Sequence, residues 1–516
     1  MTVEAAKHIG QRLRAPASTV GAAAASGLLL AAAQNIRGLG WMALFCLVPL
    51  CLKLKPARLG RTWMALSITV GLATALTLWW IRLTAPGFIW LVPVAALYAT
   101  LFTGIIALSC RAAGSILVLP AAWMVAEIAA RRLFFGVTWA LLGLPLADWG
   151  AFSQMASLAG PEALSFAVAS INVALVYCWR CRLHWIIVPA VLQGPVLAAA
   201  LTLWGAGRIA HVPEATENLR AGVVQPCISD AEWDSAKRPV VLERLRRLID
   251  SVSANANIVV LPEVAITGYV RYEDDLTAFV KDSVARTYRP LLFGTLDRTQ
   301  DASQASNVAI LMTPFGDVTM YRKLRMVPVA ERTPRFFGWP RRRPGKPEWT
   351  PGTEQTIFGW PDGPRFAVLI CWEDIFPDLA RGAALSGAGL LIALINTEPF
   401  AGTAQPMQHL RRARLTAISS GLPLLRVADT GVTCWIGRDG SVRQSLAPGK
   451  GGTAGSAAVF EVPTGGLRTV YSQFGDFASV AAGLVLVAVI GTLKRAPASF
   501  WANRRSRRPR RHRVLR

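Results

Sequence analysis

The chain has 516 residues, of which 53% are hydrophobic and only 17% are charged. A mean hydropathy of +0.38 excludes a soluble globular protein of ordinary composition and predicts a membrane protein. The formal net charge of +24 does not indicate nucleic-acid binding, because ten of the positive charges lie between Lys494 and Arg516, directly after an apolar span. We interpret that basic tail as a cytoplasmic anchor on anionic lipid.

Eight apolar segments have roughly the length that a membrane helix needs, and the second of them is short. They are residues 17–34, 38–52, 62–81, 87–110, 113–130, 163–179, 184–206 and 475–493. Lys and Arg cluster before the first span, after the second, after the sixth and after the eighth, which places all four clusters on one side. The sequence therefore predicts a multi-pass membrane protein with both termini in the cytoplasm.

Hydropathy divides the chain into four parts. We expect a membrane domain over 1–210, a polar extracytoplasmic domain over 218–468, a last membrane helix over 474–494 and a basic tail over 495–516. Within the membrane domain, Glu127 lies late in the fifth span, where an ionisable group is a functional candidate by default. The alternative is a helix-end carboxylate that pairs with a nearby cation such as Arg131.

The polar part of the chain reads as an α/β domain, because short β-branched runs bounded by Gly, Pro and Asp alternate with helical stretches. Two helices are predicted, over about 237–253 and 405–419. The predicted strands are 221–224, 258–261, 291–294, 308–312, 318–321, 366–370, 390–395, 424–427 and 433–436.

Cysteine and histidine do not indicate a disulfide framework or a metal site. Five of the eight cysteines lie in or beside apolar spans, and the five histidines are scattered without the spacing of metal ligands. We therefore expect no metal and no cofactor.

Three polar residues follow apolar strands in a way that core packing does not require. Glu263 follows the strand at 258–261, Lys323 the strand at 318–321, and Cys371 the strand at 366–370. The ends of strands are where α/β sheets carry their sites, and a thiol near a cation and a carboxylate has the setting of a nucleophile. Taken singly, Cys371 could be buried packing, Lys323 a solvated strand end and Glu263 a surface turn.

The motifs Leu-Pro-Glu263, Tyr-Arg-Lys323 and Ile-Cys371-Trp-Glu373 resemble the Glu-Lys-Cys triad of the carbon-nitrogen hydrolase (nitrilase) superfamily. Membrane spans on both sides of such a domain resemble its apolipoprotein N-acyltransferase family. Further fragments in matching order extend the likeness over nearly the whole chain: residues 120–127, 136–139, 224–225, 323–331, 408–410, 421–433 and 474–476.

The resemblance implies a polytopic helical membrane domain joined to an αββα sandwich, which would be the catalytic domain at 218–468. It also implies a protein of the bacterial cytoplasmic (inner) membrane and a ping-pong acyl transfer. Cys371 would attack a phospholipid acyl ester to form a thioester, and the α-amine of a diacylglyceryl-modified N-terminal cysteine on a lipoprotein would then take the acyl group. Glu263 would be the general base, and Lys323 would stabilise the oxyanion. A monomer that needs no nucleic-acid partner is expected.

The resemblance also points to residues around the triad. Glu331 and Glu373 would be supporting carboxylates, although each could instead pair with a local Arg. The predicted lipid-contacting residues are Trp233, Phe336, Phe337, Trp339 and Trp372, the middle three beside a basic run at 341–346 that could also be a plain solvated loop.

The chain departs from the family pattern at four places, two of which are Trp372, where a Tyr is common, and Ala330, where a Gly is common. Asn396-Thr397-Glu398-Pro399-Phe400 stands where Asn-Asp-small-Trp-Phe is usual, and Ser419 stands where a Glu is frequent. These departures bear on acyl preference and rate, but the triad is intact.

Two other functions remain open from the sequence. One is a membrane-tethered amidase or nitrilase that gives the acyl group to water, which would use the same triad. The other is a non-catalytic membrane scaffold for lipoproteins, against which the intact triad argues.

Overall fold

The computed structural model describes residues 3–84, 91–133, 139–180, 188–211, 217–232, 235–328, 331 and 348–495. The part before residue 211 is helical. Its α-helices are α1 Val3–Asn35, α2 Val48–Lys53, α3 Leu59–Thr77, α4 Ile81–Thr84, α5 Leu91–Ala113, α6 Leu119–Arg132, α7 Gly150–Ser153, α8 Ala156–Ala159, α9 Glu162–Trp179 and α10 Val188–Ala210.

Among the described helices, α3, α5 and α9 are long and apolar enough to cross a membrane. The predicted fifth span, 113–130, is the 14-residue helix α6, which begins at a Leu-Pro pair and is about 21 Å long at 1.5 Å per residue. A single helix of that length is shorter than the hydrocarbon core of a bilayer.

The predicted second span, residues 38–52, is not one continuous helix in the structure. A 3₁₀ turn at Gly40–Leu44 is followed by the short helix α2. Asn172 of α9 occupies the break, where its Nδ2 donates to the carbonyl of Ala43 at 2.9 Å and its Oδ1 accepts from the N–H of Leu47 at 2.7 Å. Irregular backbone at such a place is stable because a buried side chain supplies the missing hydrogen bonds.

The remaining described part is an α/β domain followed by two helices. Its strands are β1 Asn218–Gln225, β2 Ile258–Val260, β3 Leu291–Arg298, β4 Gln304–Met312, β5 Val318–Arg322, β6 Glu348–Trp349, β7 Ile357–Phe358, β8 Phe366–Ile370, β9 Leu390–Ile395, β10 Leu424–Ala428, β11 Cys434–Ile436, β12 Val442–Ser445 and β13 Ser456–Pro463. Its helices are α11 Arg238–Ser253, α12 Asp274–Thr287, α13 Pro377–Leu385 and α14 Gln405–Ser420, and α15 Val470–Phe474 and α16 Phe477–Arg495 follow.

The strands form two sheets. The first has the order β13-β1-β2-β3-β4-β5, with β6 beside β4, and the second has the order β12-β11-β10-β9-β8-β7. In the second sheet β8, β9 and β10 run parallel, so their carboxyl ends lie along one edge. In the first sheet β1, β2 and β3 are also parallel.

The two sheets pack face to face and each is covered by helices on its outer side. Residues of both inner faces, such as Val260 and Ile392, share one buried core. The outer face of the first sheet packs on α11 and α12, and the outer face of the second sheet packs on α13 and α14. The layers are therefore α, β, β and α, as the resemblance implied.

The helical part of the chain packs against α14. Leu78 and Trp139 belong to the same buried cluster as the α13 and α14 residues, and two other residues of α14, Leu415 and Ile418, belong to the core of the helical part.

Candidate functional site

The three candidate catalytic residues lie together at the carboxyl ends of strands from both sheets. Glu263 follows β2, Lys323 follows β5 and Cys371 follows β8. Lys323 Nζ is 3.3 Å from Glu263 Oε1 and 2.8 Å from Glu331 Oε1. The charge interactions of the Cys371 thiol with both Glu263 and Lys323 bring the third residue into the same cluster.

Lys323 is a fully charged cation in a buried setting. Its side chain is only 1% exposed, and burial alone would lower its pKa, but the carboxylates of Glu331 and Glu263 outweigh that effect and hold the Lys323 pKa well above its usual value. Glu331 is fixed in turn, because its Oε2 accepts the N–H of Val327 at 2.7 Å. A permanent positive charge therefore lies beside the thiol.

Glu263 is held from two directions by asparagines that sequence reasoning missed. Asn307 of β4 donates its Nδ2 to Glu263 Oε1 at 2.8 Å, and the backbone N–H of Asn396 donates to Glu263 Oε2 at 3.1 Å. Gly294 of β3 lies directly beneath, where a Cβ would come within 2.7 Å of the Cα of Glu263. The close approach of β3 to this loop therefore requires glycine.

Cys371 occupies a sharp turn between β8 and a 3₁₀ helix at Cys371–Ile375. Its φ of 57° is in the left-handed region, which a non-glycine residue adopts only when its surroundings hold it there. The side chain is partly buried, and its Sγ is 3.9 Å from the carbonyl oxygen of Asn396. This turn aims the sulfur at the strand-end edge.

The thiol of Cys371 needs a base to become a nucleophile. Burial and the negative charge of Glu263 raise the pKa of Cys371 well above its usual value, and the opposing effect of Lys323 is smaller. The resting sulfur is thus protonated, and the adjacent Glu263 carboxylate is placed to take the proton.

Glu373 anchors the nucleophile turn to the loop after β5. Its carboxylate, fully buried, accepts the backbone N–H groups of Leu324, Arg325 and Ile370 at 2.7 to 2.9 Å and the hydroxyl of Tyr321 at 2.9 Å. Burial raises the pKa of Glu373 to about 7, although the backbone N–H groups favour the ionised form. Among the described residues no Arg side chain pairs with Glu373, and Arg325 contacts it through the backbone N–H.

Asp374, the next residue, anchors the same turn to the second sheet and to α14. Its Oδ2 accepts from Arg426 Nε at 3.0 Å, and its Oδ1 faces His409 Nε2. Although burial alone would raise the pKa of Asp374, its two partners, His409 and Arg426, lower it.

The predicted lipid-contacting residues lie mostly outside the described residues. This is true of Trp233, Phe336, Phe337 and Trp339, and of the basic run at 341–346. Trp372 is described: it is 7% exposed, its Nε1 donates to the carbonyl of Arg325, and its ring packs edge-on against Phe376.

Two sequence models of known families match the chain in succession. The apolipoprotein N-acyltransferase N-terminal domain matches residues 26–174, and the carbon-nitrogen hydrolase model matches residues 220–458. The first match runs from within α1 to within α9, and the second covers most of both sheets together with Glu263, Lys323 and Cys371.

Similar proteins extend over both regions. The apolipoprotein N-acyltransferase of Geobacter metallireducens is 28% identical over 500 residues, which is 90% of this chain and 94% of that protein. The Chlorobaculum tepidum apolipoprotein N-acyltransferase is 29% identical over 79% of this chain and 84% of its own length. Among solved structures, a carbon-nitrogen hydrolase from Helicobacter pylori aligns with a TM-score of 0.37 and 19% identity over 51% of this chain and 95% of its own. With two family models matched in order and relatives along most of its length, the chain is similar over nearly all of its length to the apolipoprotein N-acyltransferases of the carbon-nitrogen hydrolase superfamily.

Proposed function

We propose that the protein moves an acyl chain from a phospholipid, through a thioester on Cys371, to the α-amine of the N-terminal diacylglyceryl-cysteine of apolipoproteins. The observation that carries this proposal is the cluster of a protonated thiol, a carboxylate and a buried ammonium at one strand-end edge. The family relationship supplies the class of donor and acceptor.

The first half-reaction forms the thioester. Glu263 takes the proton of Cys371, and the sulfur attacks the ester carbonyl of the donor. The negative charge that develops on the carbonyl oxygen lies near the Lys323 ammonium, which is a preorganised form of stabilisation worth several kcal/mol. When the intermediate collapses, the ester oxygen leaves with the proton from Glu263, and the product is a lysophospholipid.

The second half-reaction returns the enzyme to its starting state. Glu263, again ionised, takes a proton from the attacking amine, and the C–S bond breaks as the amide forms. The same proton then returns to the sulfur of Cys371. In this scheme Glu331 keeps the Lys323 ammonium in place and Glu373 keeps the nucleophile turn in place, so both act as positioning residues.

The membrane setting is part of the proposal. Eight crossings, one of them by the broken segment at 38–52, put both termini in the cytoplasm and the domain at 218–468 on the outer side of the inner membrane, between a membrane domain at 1–210 and a last span at 474–494. The Lys and Arg clusters support this orientation. We further propose that Trp233, Phe336, Phe337, Trp339 and Trp372 contribute to lipid contact and that the protein acts as a monomer.

The family relationship favours acyl transfer over the hydrolysis of a small amide and over a non-catalytic scaffold. A soluble amide needs neither the long apolar helices α3, α5 and α9 nor a region that matches the acyltransferase N-terminal domain. A scaffold needs no strained nucleophile turn.

Mass spectrometry of the purified protein tests the mechanism. Incubation with phospholipid alone is expected to add one acyl mass to the peptide that contains Cys371, and hydroxylamine is expected to remove it. The variant Cys371→Ala should form no adduct, whereas Cys227→Ala and Cys434→Ala, which remove buried thiols elsewhere in the domain, should form it normally.

Addition of a diacylglyceryl-cysteine peptide should then discharge the thioester with formation of an amide. Discharge to free fatty acid without amide would favour the hydrolase. An active enzyme that never carries an adduct would contradict the ping-pong mechanism.

A further inference from the structure

One buried amide joins the helical part of the chain to the catalytic domain. Gln408 of α14 has no exposed surface. Its Oε1 accepts from the indole Nε1 of Trp139 at 2.7 Å and from that of Trp80 at 3.1 Å, and its Nε2 donates to Asn35 Oδ1 at 3.0 Å. A single side chain thus connects three separate segments of the helical part.

The neighbouring residue continues this connection to the nucleophile. His409 is 1% exposed, and its Nε2 meets Asp374 Oδ1. Burial lowers the pKa of His409, so the imidazole is neutral and carries its proton on Nε2, toward the carboxylate. Asp374 lies three residues after Cys371 in the same 3₁₀ turn.

Ring contacts connect the same residues to the loop after β9. The rings of Trp139 and His409 are 5.6 Å apart, those of Trp80 and Trp139 are 5.5 Å apart, and Phe400 packs edge-on against Trp80 at 4.9 Å. The loop that contains Phe400 starts at Asn396, whose N–H holds Glu263. The loop that holds the base and the turn that carries the nucleophile therefore both contact the same group of side chains, Trp80, Trp139 and His409.

We propose that Trp80, Trp139, Gln408 and His409, here called the Gln408 cluster, form a positioning unit through which the helical part of the chain sets the geometry of the Cys371 turn and of the loop after β9. The helical part would then govern the reactivity of the nucleophile in addition to any role in holding lipid. The proposal rests on the proposed function for the identity of the reaction.

The test compares Gln408→Leu and Trp139→Phe with one matched control. Gln408→Leu keeps the volume but removes the acceptor of two buried indoles, and Trp139→Phe keeps an aromatic ring but removes one indole N–H. The exposed neighbour Trp79, which packs with Arg82, provides Trp79→Phe as the matched control.

Single-turnover thioester formation is measured with a phospholipid donor and expressed per folded molecule. A misplacement of about 1 Å at a distance from the chemistry costs on the order of 100-fold in rate. We therefore expect Gln408→Leu and Trp139→Phe to be about 10- to 100-fold slower, with little change in the KM for lipid. Trp79→Phe should stay close to the unsubstituted protein.

Alkylation of Cys371, followed as the mass of its peptide across a range of pH, gives a second readout that needs no donor. A changed pH profile in Gln408→Leu but not in Trp79→Phe supports positioning. The positioning role would be overturned if Gln408→Leu and Trp139→Phe had unchanged rates of thioester formation and alkylation per folded molecule and only a lower melting temperature. An equal loss of rate in Trp79→Phe would also overturn it. If the unsubstituted protein forms no thioester, the proposed function fails, and the alkylation comparison still decides the positioning role.

Discussion

Burial of the Cys371 thiol makes Glu263 necessary as a base, because the pKa of the thiol lies well above its usual value. Glu263→Gln keeps the shape of the side chain and part of its contacts with Asn307 and with the Asn396 N–H. It removes the carboxylate that accepts the thiol proton. General base catalysis contributes about 10²- to 10⁴-fold, so we expect a loss of that size in the rate of thioester formation with normal folding.

The comparison variant is Glu331→Gln, which changes the other carboxylate on Lys323. It should weaken the placement of the ammonium without abolishing proton transfer. If Glu263→Gln turned over almost normally and Glu331→Gln did not, the base would have been assigned to the wrong carboxylate.

A second buried carboxyl gives a prediction about pH and stability. Asp429 follows β10 and is 3% exposed; its Oδ1 accepts the N–H of Ile228 at 3.1 Å, and among the described residues its Oδ2 has no hydrogen-bond partner. Burial raises the pKa of Asp429 to about 7. The folded state therefore keeps a proton that the unfolded state releases between its ordinary pKa and about 7, and stability falls as pH rises through that window.

The variant Asp429→Asn should remove this penalty. Its amide can keep the Ile228 contact, and it carries no charge at any pH. At pH 8 we expect a higher melting temperature than that of the unsubstituted protein, with a free energy of unfolding larger by on the order of a few kcal/mol. At pH 5 both gains should be smaller. A gain that does not shrink toward pH 5 would show that the ionisation of Asp429 is not its cause.

At the scale of single elements, the 3₁₀ turn at Cys371–Ile375 depends on Glu373. Its carboxylate accepts three backbone N–H groups and the Tyr321 hydroxyl, and all of these are donors. Glu373→Gln would place an amide N–H₂ against at least one of them. A buried polar group without a hydrogen-bond partner costs about 1–3 kcal/mol of stability. We therefore expect both a lower melting temperature and slower thioester formation.

The exposed Glu354 allows the same change elsewhere in the domain, and Glu354→Gln should alter neither quantity. Stability and rate that are unchanged in Glu373→Gln would show that the turn is held without this carboxylate.

The sequence alone was sufficient to predict helices and strands that have a strong local hydrophobic pattern. The strands that carry Glu263, Lys323 and Cys371 were predicted within a residue or two, as were helices α11 and α14. The sequence did not predict helices α12 and α13 or the strand β13, because the apolar runs in these elements are short and interrupted. The break at 38–52 could not be predicted either, since its cause is Asn172, more than 100 residues away in the chain.

The same limit applies to the site. The three triad residues follow strands and carry a recognisable motif, so the sequence identified them. The groups that hold them, Asn307 and the backbone N–H of Asn396, are brought to Glu263 only by the pairing of strands and the packing of two sheets.

At the scale of the whole molecule, Arg131 connects three distant segments. Its Nε meets Glu162 at 2.7 Å and its guanidinium also meets Asp476 at 2.7 Å, just before α16. The expected pair with Glu127 is not formed; Glu127 instead accepts from Trp123 and from a backbone N–H. The buried ion pairs therefore tie α6 and α9 to the start of the last helix.

Arg131→Ala leaves Glu162 buried without its cation, which costs about 3–5 kcal/mol of stability. Arg132→Ala is the matched control, because that side chain is 54% exposed and binds the same Asp476. An exposed pair contributes at most about 1 kcal/mol, so its loss should be small. Unfolding in detergent, followed by circular dichroism, measures both, and equal effects would contradict this assignment.

The pairing of β1 with β13 has a consequence for the order of biosynthesis. Asn218 at the start of β1 lies opposite Pro463 at the end of β13. The first strand of the domain therefore cannot complete its pairing until the last strand has been synthesised. Until residue 463 has left the ribosome, β1 presents an open edge that another chain could join. Completion of the sheet therefore coincides with the emergence of the segment that leads into α16, and a chain truncated before Ser456 would retain every triad residue and still expose that edge.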